Sequence, residues 1–96
     1  MHSSYKNNTQ LIQFLKKGDI EAYAYLVDTY NHKLCLYANS LLNDVSASKD
    51  VVQNVFMKVW EKRHYLKEDF SIKSYLYTSV YNGCINEYNR KKVVTA

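Results

Sequence analysis

Apolar residues recur along this chain at helical spacing in four stretches, separated by short polar breaks. Leu11, Ile12, Phe14 and Leu15 form one apolar side between Thr9 and Lys17, the pattern of an amphipathic helix. Thr9 is placed to cap it, Lys16 and Lys17 suit the negative end of its dipole, and Gly18 suits the left-handed residue after its last turn. Asp19 then predicts the cap of a second helix, with Glu21 in its first turn. Its stripe is Tyr23, Leu26, Val27, Tyr30, Leu34, Tyr37, Ala38 and Leu41, ending near Leu42 before Asn43-Asp44. A third helix is predicted from after Ser46 to near Lys62, with Val51, Val52, Val55, Phe56, Val59 and Trp60 on its apolar side. Its valines suggest a strand by propensity. The period decides for helix, because Asp50, Gln53, Asn54, Lys58 and Glu61 fill the opposite side. His64 to Ser71 carries no stripe and reads as a loop, after which Ser71 caps a fourth helix over Ile72 to Lys91. Ile72, Leu76, Ser79, Val80, Gly83, Cys84 and Glu87 share one side of that helix. Ser74, Thr78, Tyr81, Asn82, Ile85 and Asn89 share the other, which is polar, aromatic and uncharged.

Composition supports an all-α fold, a compact bundle of about four helices. The chain has 96 residues, 47% of them apolar, with no proline and only Gly18 and Gly83 as glycines. That length suits one domain with a modest core, and sandwiches or barrels need many more turn residues. No apolar run approaches the ~20 residues of a membrane span. Met1 to Gln10 is polar, so no secretory signal is predicted and the expected compartment is the cytoplasm. Residues 1–8 read as a frayed tail. Cys35 and Cys84 read as buried thiols rather than a disulfide framework. No metal site, cofactor loop or nucleophile motif is present, and the residues point away from an enzyme.

The charge is unevenly spread. Residues 1–61 hold equal numbers of basic and acidic side chains, so the net +4 comes from Lys62, Arg63, Lys67, Lys73, Arg90, Lys91 and Lys92 against Glu68, Asp69 and Glu87. A basic end on a neutral body suits a polyanion, although Arg90, Lys91 and Lys92 equally complement a helix C-terminus. On charge alone the second explanation is slightly the stronger. Ten tyrosines are the other unusual feature. Tyr23, Tyr30 and Tyr37 read as core edges. Tyr65, Tyr75, Tyr77, Tyr81 and Tyr88 lie in the basic third, where aromatic faces between cations can hold unstacked bases. Tyr75 and Tyr88 are assigned to the flank of the core, and Tyr81 to the outer face. Asn82 lies on that outer face, where a carboxamide can read a base edge. The outer side of helix three (Asp50, Gln53, Asn54, Met57, Lys58, Glu61) mixes both signs with an exposed Met and suits a protein partner better.

Three segments carry a family resemblance. Gly18-Asp19-Ile20-Glu21-Ala22-Tyr23 resembles the opening of region 2 of extracytoplasmic-function (ECF) sigma factors. Asp50-Val51-Val52-Gln53-Asn54-Val55-Phe56-Met57-Lys58-Val59-Trp60 resembles the polymerase-binding segment of that region. Ile72-Lys73-Ser74-Tyr75-Leu76-Tyr77, followed by Asn82, resembles its helix for promoter melting and minus-ten recognition. The three occur in order and cover about residues 9–92. The resemblance implies a bacterial transcription initiation factor without cofactor or metal. The helix with Asp50, Gln53, Asn54 and Lys58 would dock on the clamp helices of the largest subunit of core RNA polymerase. The loop from His64 to Ser71 would receive a base flipped from the non-template strand of the minus-ten element, with Leu66 helping to form its pocket. Asn82 would contact exposed bases, and an anti-sigma partner is implied. Joined with the residue reading above, the expected DNA-binding set is Leu66, Lys73, Thr78, Tyr81, Asn82 and Arg90, and the polymerase-binding set is Asp50, Gln53, Asn54, Met57, Lys58 and Glu61.

The match has departures. Asn54 stands where an acid is common, Thr78 and Tyr81 where basic residues are frequent, and Gly83 where a larger residue is usual. No segment resembles region 4, the second domain of such factors, so the residues are expected to be region 2 with Val93 to Ala96 opening a linker. Two rival readings follow from the residues: a duplex-binding regulator using the turn at Gly18, and a helical adaptor that binds protein only.

Overall fold

In a computed structural model, residues 7–95 are described except Phe70, with residues 91–95 described by their backbone alone. Four α-helices and a 3-10 turn follow one another: α1 (Asn8–Lys16), α2 (Ile20–Leu42), α3 (Val45–Glu61), the turn Arg63–Tyr65, and α4 (Ile72–Thr95). This is the all-α bundle that the period of the sequence predicts.

The helix ends have local causes. Asn7, not Thr9, caps α1: its side-chain oxygen accepts from the N–H groups of Thr9 and Gln10 at 2.8 and 3.4 Å. Asn7 and Asn8 are therefore part of the ordered fold, and the rest of the predicted tail, residues 1–6, lies outside the described residues. At Gly18 the φ is +84°. There the Gly18 N–H donates to the Leu15 carbonyl at 2.9 Å and the Asp19 N–H to the Phe14 carbonyl at 3.1 Å, a Schellman stop that favours glycine. Asp19 caps α2 as expected, accepting from Glu21 and Ala22. Asn43, left-handed at φ 52°, ends it. Asp44 accepts from the Ala47 N–H at 3.0 Å, so α3 begins ahead of the predicted Ser46. Ser71 caps α4 through the Ser74 N–H at 3.2 Å. The backbone of α4 stays helical through Thr95, past the predicted end at Lys91, and Ala96 lies outside the described residues.

The core is assembled from the predicted stripes. Leu11, Ile12 and Leu15 of α1 meet Leu26, Leu34 and Ala38 of α2, the α3 row Val51, Val52, Val55, Phe56 and Val59, and Ile72, Leu76, Val80 and Cys84 of α4. On α2 the stripe differs at two places. Ala22 is fully buried although its small side chain gives little periodic signal, whereas Leu41, in the last turn, is exposed. Aromatic pairs close the seams: Tyr23 meets Trp60 at 5.0 Å and Tyr37 meets Tyr77 at 5.2 Å between ring centres. Tyr88 is exposed rather than packed at the core edge, because it follows the exposed Tyr81 by about two turns on the same side.

Gly83 lies against Val51 where α4 packs on α3. A Cβ added there would lie 2.8 Å from Cγ1 of Val51. Val51 is buried and β-branched, so its side chain has few alternative rotamers on a helix. The helix-propensity cost of glycine, ~1 kcal/mol against alanine, is thus offset by contact between the helices. Gly83→Ala should therefore lower the unfolding free energy by about 1 kcal/mol rather than raise it. Adding Val51→Ala should make the pair less destabilised than the sum of the single changes, as read by urea denaturation. A stabilised Gly83→Ala variant would contradict this packing.

Candidate functional site

The chain between α3 and α4 has little regular structure of its own, so its shape depends on what grips it. Hydrogen bonds from Tyr65 N–H to the Lys62 carbonyl (2.9 Å) and from Leu66 N–H to the Arg63 carbonyl (3.2 Å) wind the 3-10 turn. The Arg63 guanidinium lies over the Trp60 ring at 4.2 Å, and its Nη1 donates to the Trp60 carbonyl at 2.8 Å. Such a cation–π contact is worth roughly 0.5–1 kcal/mol at an exposed site, more when shielded. Further along, α1 holds the loop from the other side. The Thr9 hydroxyl donates to the Glu68 carbonyl at 3.1 Å and Gln13 Nε2 to the Glu68 carboxylate at 3.2 Å. The Ile72 N–H, one of the four donors left open at the start of α4, donates to Asn8 Oδ1 at 2.9 Å.

This frame leaves an open pocket of about 680 Å³ lined by Lys62, Tyr65, Leu66, Lys67 and Tyr75. Leu66 is 5% exposed and forms the floor, Tyr75 is half-buried, and Tyr65 is 82% exposed. Leu66, expected to help form the pocket and counted in the DNA-binding set, does line it. Burial makes it a core residue that supports the pocket, because the turn drives its side chain inward against the bundle. Sequence reasoning placed Tyr65 only in a general aromatic cluster and assigned Tyr75 to the core flank. Nothing local in the sequence shows that Lys62 and Lys67 meet them.

The outer face of α4 is as predicted: Ser74, Thr78, Tyr81, Asn82, Ile85 and Asn89 are all exposed. The other expected DNA contacts do not share that face. Lys73 is exposed beside Tyr25, Thr29 and Tyr30, lining a small depression between α4 and the first two helices. Arg90 is exposed but bonded to the Glu87 carboxylate at 2.9 Å. With Arg63 stacked on Trp60 as well, two of the basic residues in the last third are engaged internally. Lys62, Lys67 and Lys73 remain exposed, and the side chains of Lys91 and Lys92 lie outside the described residues.

On α3, Asp50, Gln53, Asn54, Met57, Lys58 and Glu61 are all exposed along one face, with Met57 54% exposed. The two expected sets meet at one groove of about 410 Å³ between α3 and α4, where Asn54 and Lys58 face Asn82, Asn86 and Arg90. Asp50 and Gln53 line its continuation toward the start of α3.

Cys84 is buried, and burial, with a smaller contribution from nearby Glu87, pushes its thiol pKa up, away from the reactive thiolate. Cys35, expected to be buried, is half-buried on α2. Among the described residues, no group of three or more His, Cys, Asp or Glu could hold a metal, and no helix is long and apolar enough to cross a membrane.

The four helices form an all-α bundle with a polar, uncharged outer face on α4 and a mixed-charge face on α3. Residues 26–93 match the model of the sigma-70 region 2 family, and the chain belongs to that family. It is 27% identical over 81 residues to the ECF RNA polymerase sigma factor SigW of Bacillus subtilis (strain 168), covering 84% of this chain. The chain spans 43% of the length of that relative. No solved structure matches it.

Leu66→Ala should destabilise the fold by about 2–5 kcal/mol, the usual cost of truncating a buried leucine. Thermal unfolding checks this; an unchanged melting temperature would return Leu66 to the surface.

Proposed function

We propose that this domain acts as region 2 of an ECF-type transcription initiation factor, without a catalytic step of its own. It docks on core RNA polymerase through the outer face of α3 and engages the melted non-template strand of the minus-ten element. Membership of the sigma-70 region 2 family, with similarity to an ECF sigma factor over most of the chain, carries this reading. The chemistry of the two faces supports it. Asp50, Gln53, Asn54, Met57, Lys58 and Glu61 offer a mixed-charge surface with an exposed thioether, suited to a protein partner.

The uncharged α4 face, with Thr78, Tyr81 and Asn82, suits bases more than phosphates, since hydroxyls and carboxamides read base edges and an exposed ring can stack. The pocket at Lys62, Tyr65, Lys67 and Tyr75 is the site for one flipped base, with aromatic walls and cations at its rim. Flipping costs a few kcal/mol of unstacking, which stacking on the tyrosines and contact with the lysines would offset. Lys73 and the other exposed lysines supply the phosphate attraction that the outer face of α4 lacks. The expected compartment is the cytoplasm, where such a factor meets the polymerase.

Two outcomes test this. Gln53→Ala or Asn54→Lys should reduce capture of core polymerase by tenfold or so, about 1.4 kcal/mol, without lowering the melting temperature; unchanged capture would refute the α3 assignment. The domain should also bind single-stranded minus-ten oligonucleotides in preference to matched duplex, with Tyr81→Ala and Asn82→Ala weakening the single-strand complex. A preference for duplex would instead support a duplex-binding regulator.

A further inference from the structure

The pocket beside the 3-10 turn is chemically one-sided. Among the described residues, its lining side chains are two lysines, two tyrosines and a leucine. A lysine ammonium has three donors and no acceptor, and a tyrosine hydroxyl can do either. Among the described residues, no carboxylate or carboxamide lines the pocket. The loop's Glu68 is drawn to the α1 side, where Gln13 donates to its carboxylate and Thr9 to its carbonyl.

From this we infer that the pocket selects a keto base, thymine or guanine, over an amino base, cytosine or adenine, with Lys62 and Lys67 as the discriminating residues. The inference rests on the base-capture role proposed above and gives it a chemical direction. Thymine presents O4 and guanine presents O6 and N7 as acceptors toward the lysines. Adenine shares the N7 acceptor with guanine, but cytosine N4 and adenine N6 carry donors where the keto bases carry O4 or O6, so a lysine placed at that position would face a donor. Tyr65 and Tyr75 stack with any base, and a pocket of about 680 Å³ admits purines and pyrimidines alike. Neither stacking nor size therefore decides between bases, and the lysines do. The buried Leu66 gives the site an apolar lining on one side.

The test uses the 96-residue chain and fluorescence anisotropy with single strands of roughly eight nucleotides, within the span of a small single-strand site. Each strand is abasic except for one central base. Thymine is compared with 5-methylcytosine, and hypoxanthine with adenine, so that each pair differs chiefly at the keto or amino position. The keto member should bind at least about fivefold tighter, the lower end of what a good base contact discriminates. Lys62→Met with Lys67→Met should bring both ratios toward one, while Lys73→Met, outside the pocket, should weaken all strands by a common factor. Equal binding of all four bases, each better than a fully abasic strand, would overturn keto selection and leave base capture standing. Tighter binding of the amino bases, or ratios unmoved by the double lysine variant, would also overturn it. If no base improves on the abasic strand, base capture fails and keto selection with it.

Discussion

Between α3 and α4 the chain must turn without a helix to stiffen it, and the stack of Arg63 on Trp60 makes that turn a fixed object. The guanidinium is anchored twice to one residue, through its plane to the indole and through Nη1 to the carbonyl. Trp60 is in turn held against Tyr23 of α2. The turn that carries Lys62 and Tyr65 is thereby referred to the bundle core. The α1 side chains Asn8, Thr9 and Gln13 fix the far end of the loop. Arg63 cannot serve both as this anchor and as a free cation for phosphate, so the basic character of the loop rests on its lysines. A lysine in place of Arg63 would lack the planar group that stacks and donates in a fixed geometry.

The second constraint is the contact of Gly83 with Val51, which sets α3 and α4 close enough for their polar edges to share a groove. Asn54 and Lys58 belong to the face proposed for polymerase, Asn82 to the face proposed for bases. Their meeting at one groove sets the two proposed surfaces side by side. Arg90, held by Glu87 at the end of this groove, is a structural ion pair at the surface; such pairs contribute ~0–1 kcal/mol.

Much of this was legible in the sequence because it is local. The exposed and buried sides of α3 and α4 follow from period alone, and Gly18, Asp19 and Ser71 act as the stop and caps that their chemistry indicates. Long-range contacts were not legible. Leu66 has no stripe to mark it as core, and its burial depends on a turn wound by Arg63 and Lys62 carbonyls. Thr9 looked like a cap because its type and position fit, but Asn7 takes that role and frees Thr9 for Glu68. Lys73 and Arg90 were grouped with Thr78, Tyr81 and Asn82 by charge and by neighbourhood in sequence. The helical turn places Lys73 toward the first two helices, and Arg90 pairs with Glu87 beside the groove that Asn82 also lines.

The central claim, that one single strand lies across the 62–67 turn and the outer face of α4, is tested most directly by amide chemical shifts. A ¹⁵N-labelled domain titrated with a random-sequence single-stranded oligonucleotide should show its largest shifts at Lys62 to Lys67, Tyr75 and Thr78 to Asn82, with α1 and the first turns of α2 unmoved. Shifts confined to α1 and α2, or shifts produced by duplex and not by single strand, would contradict it.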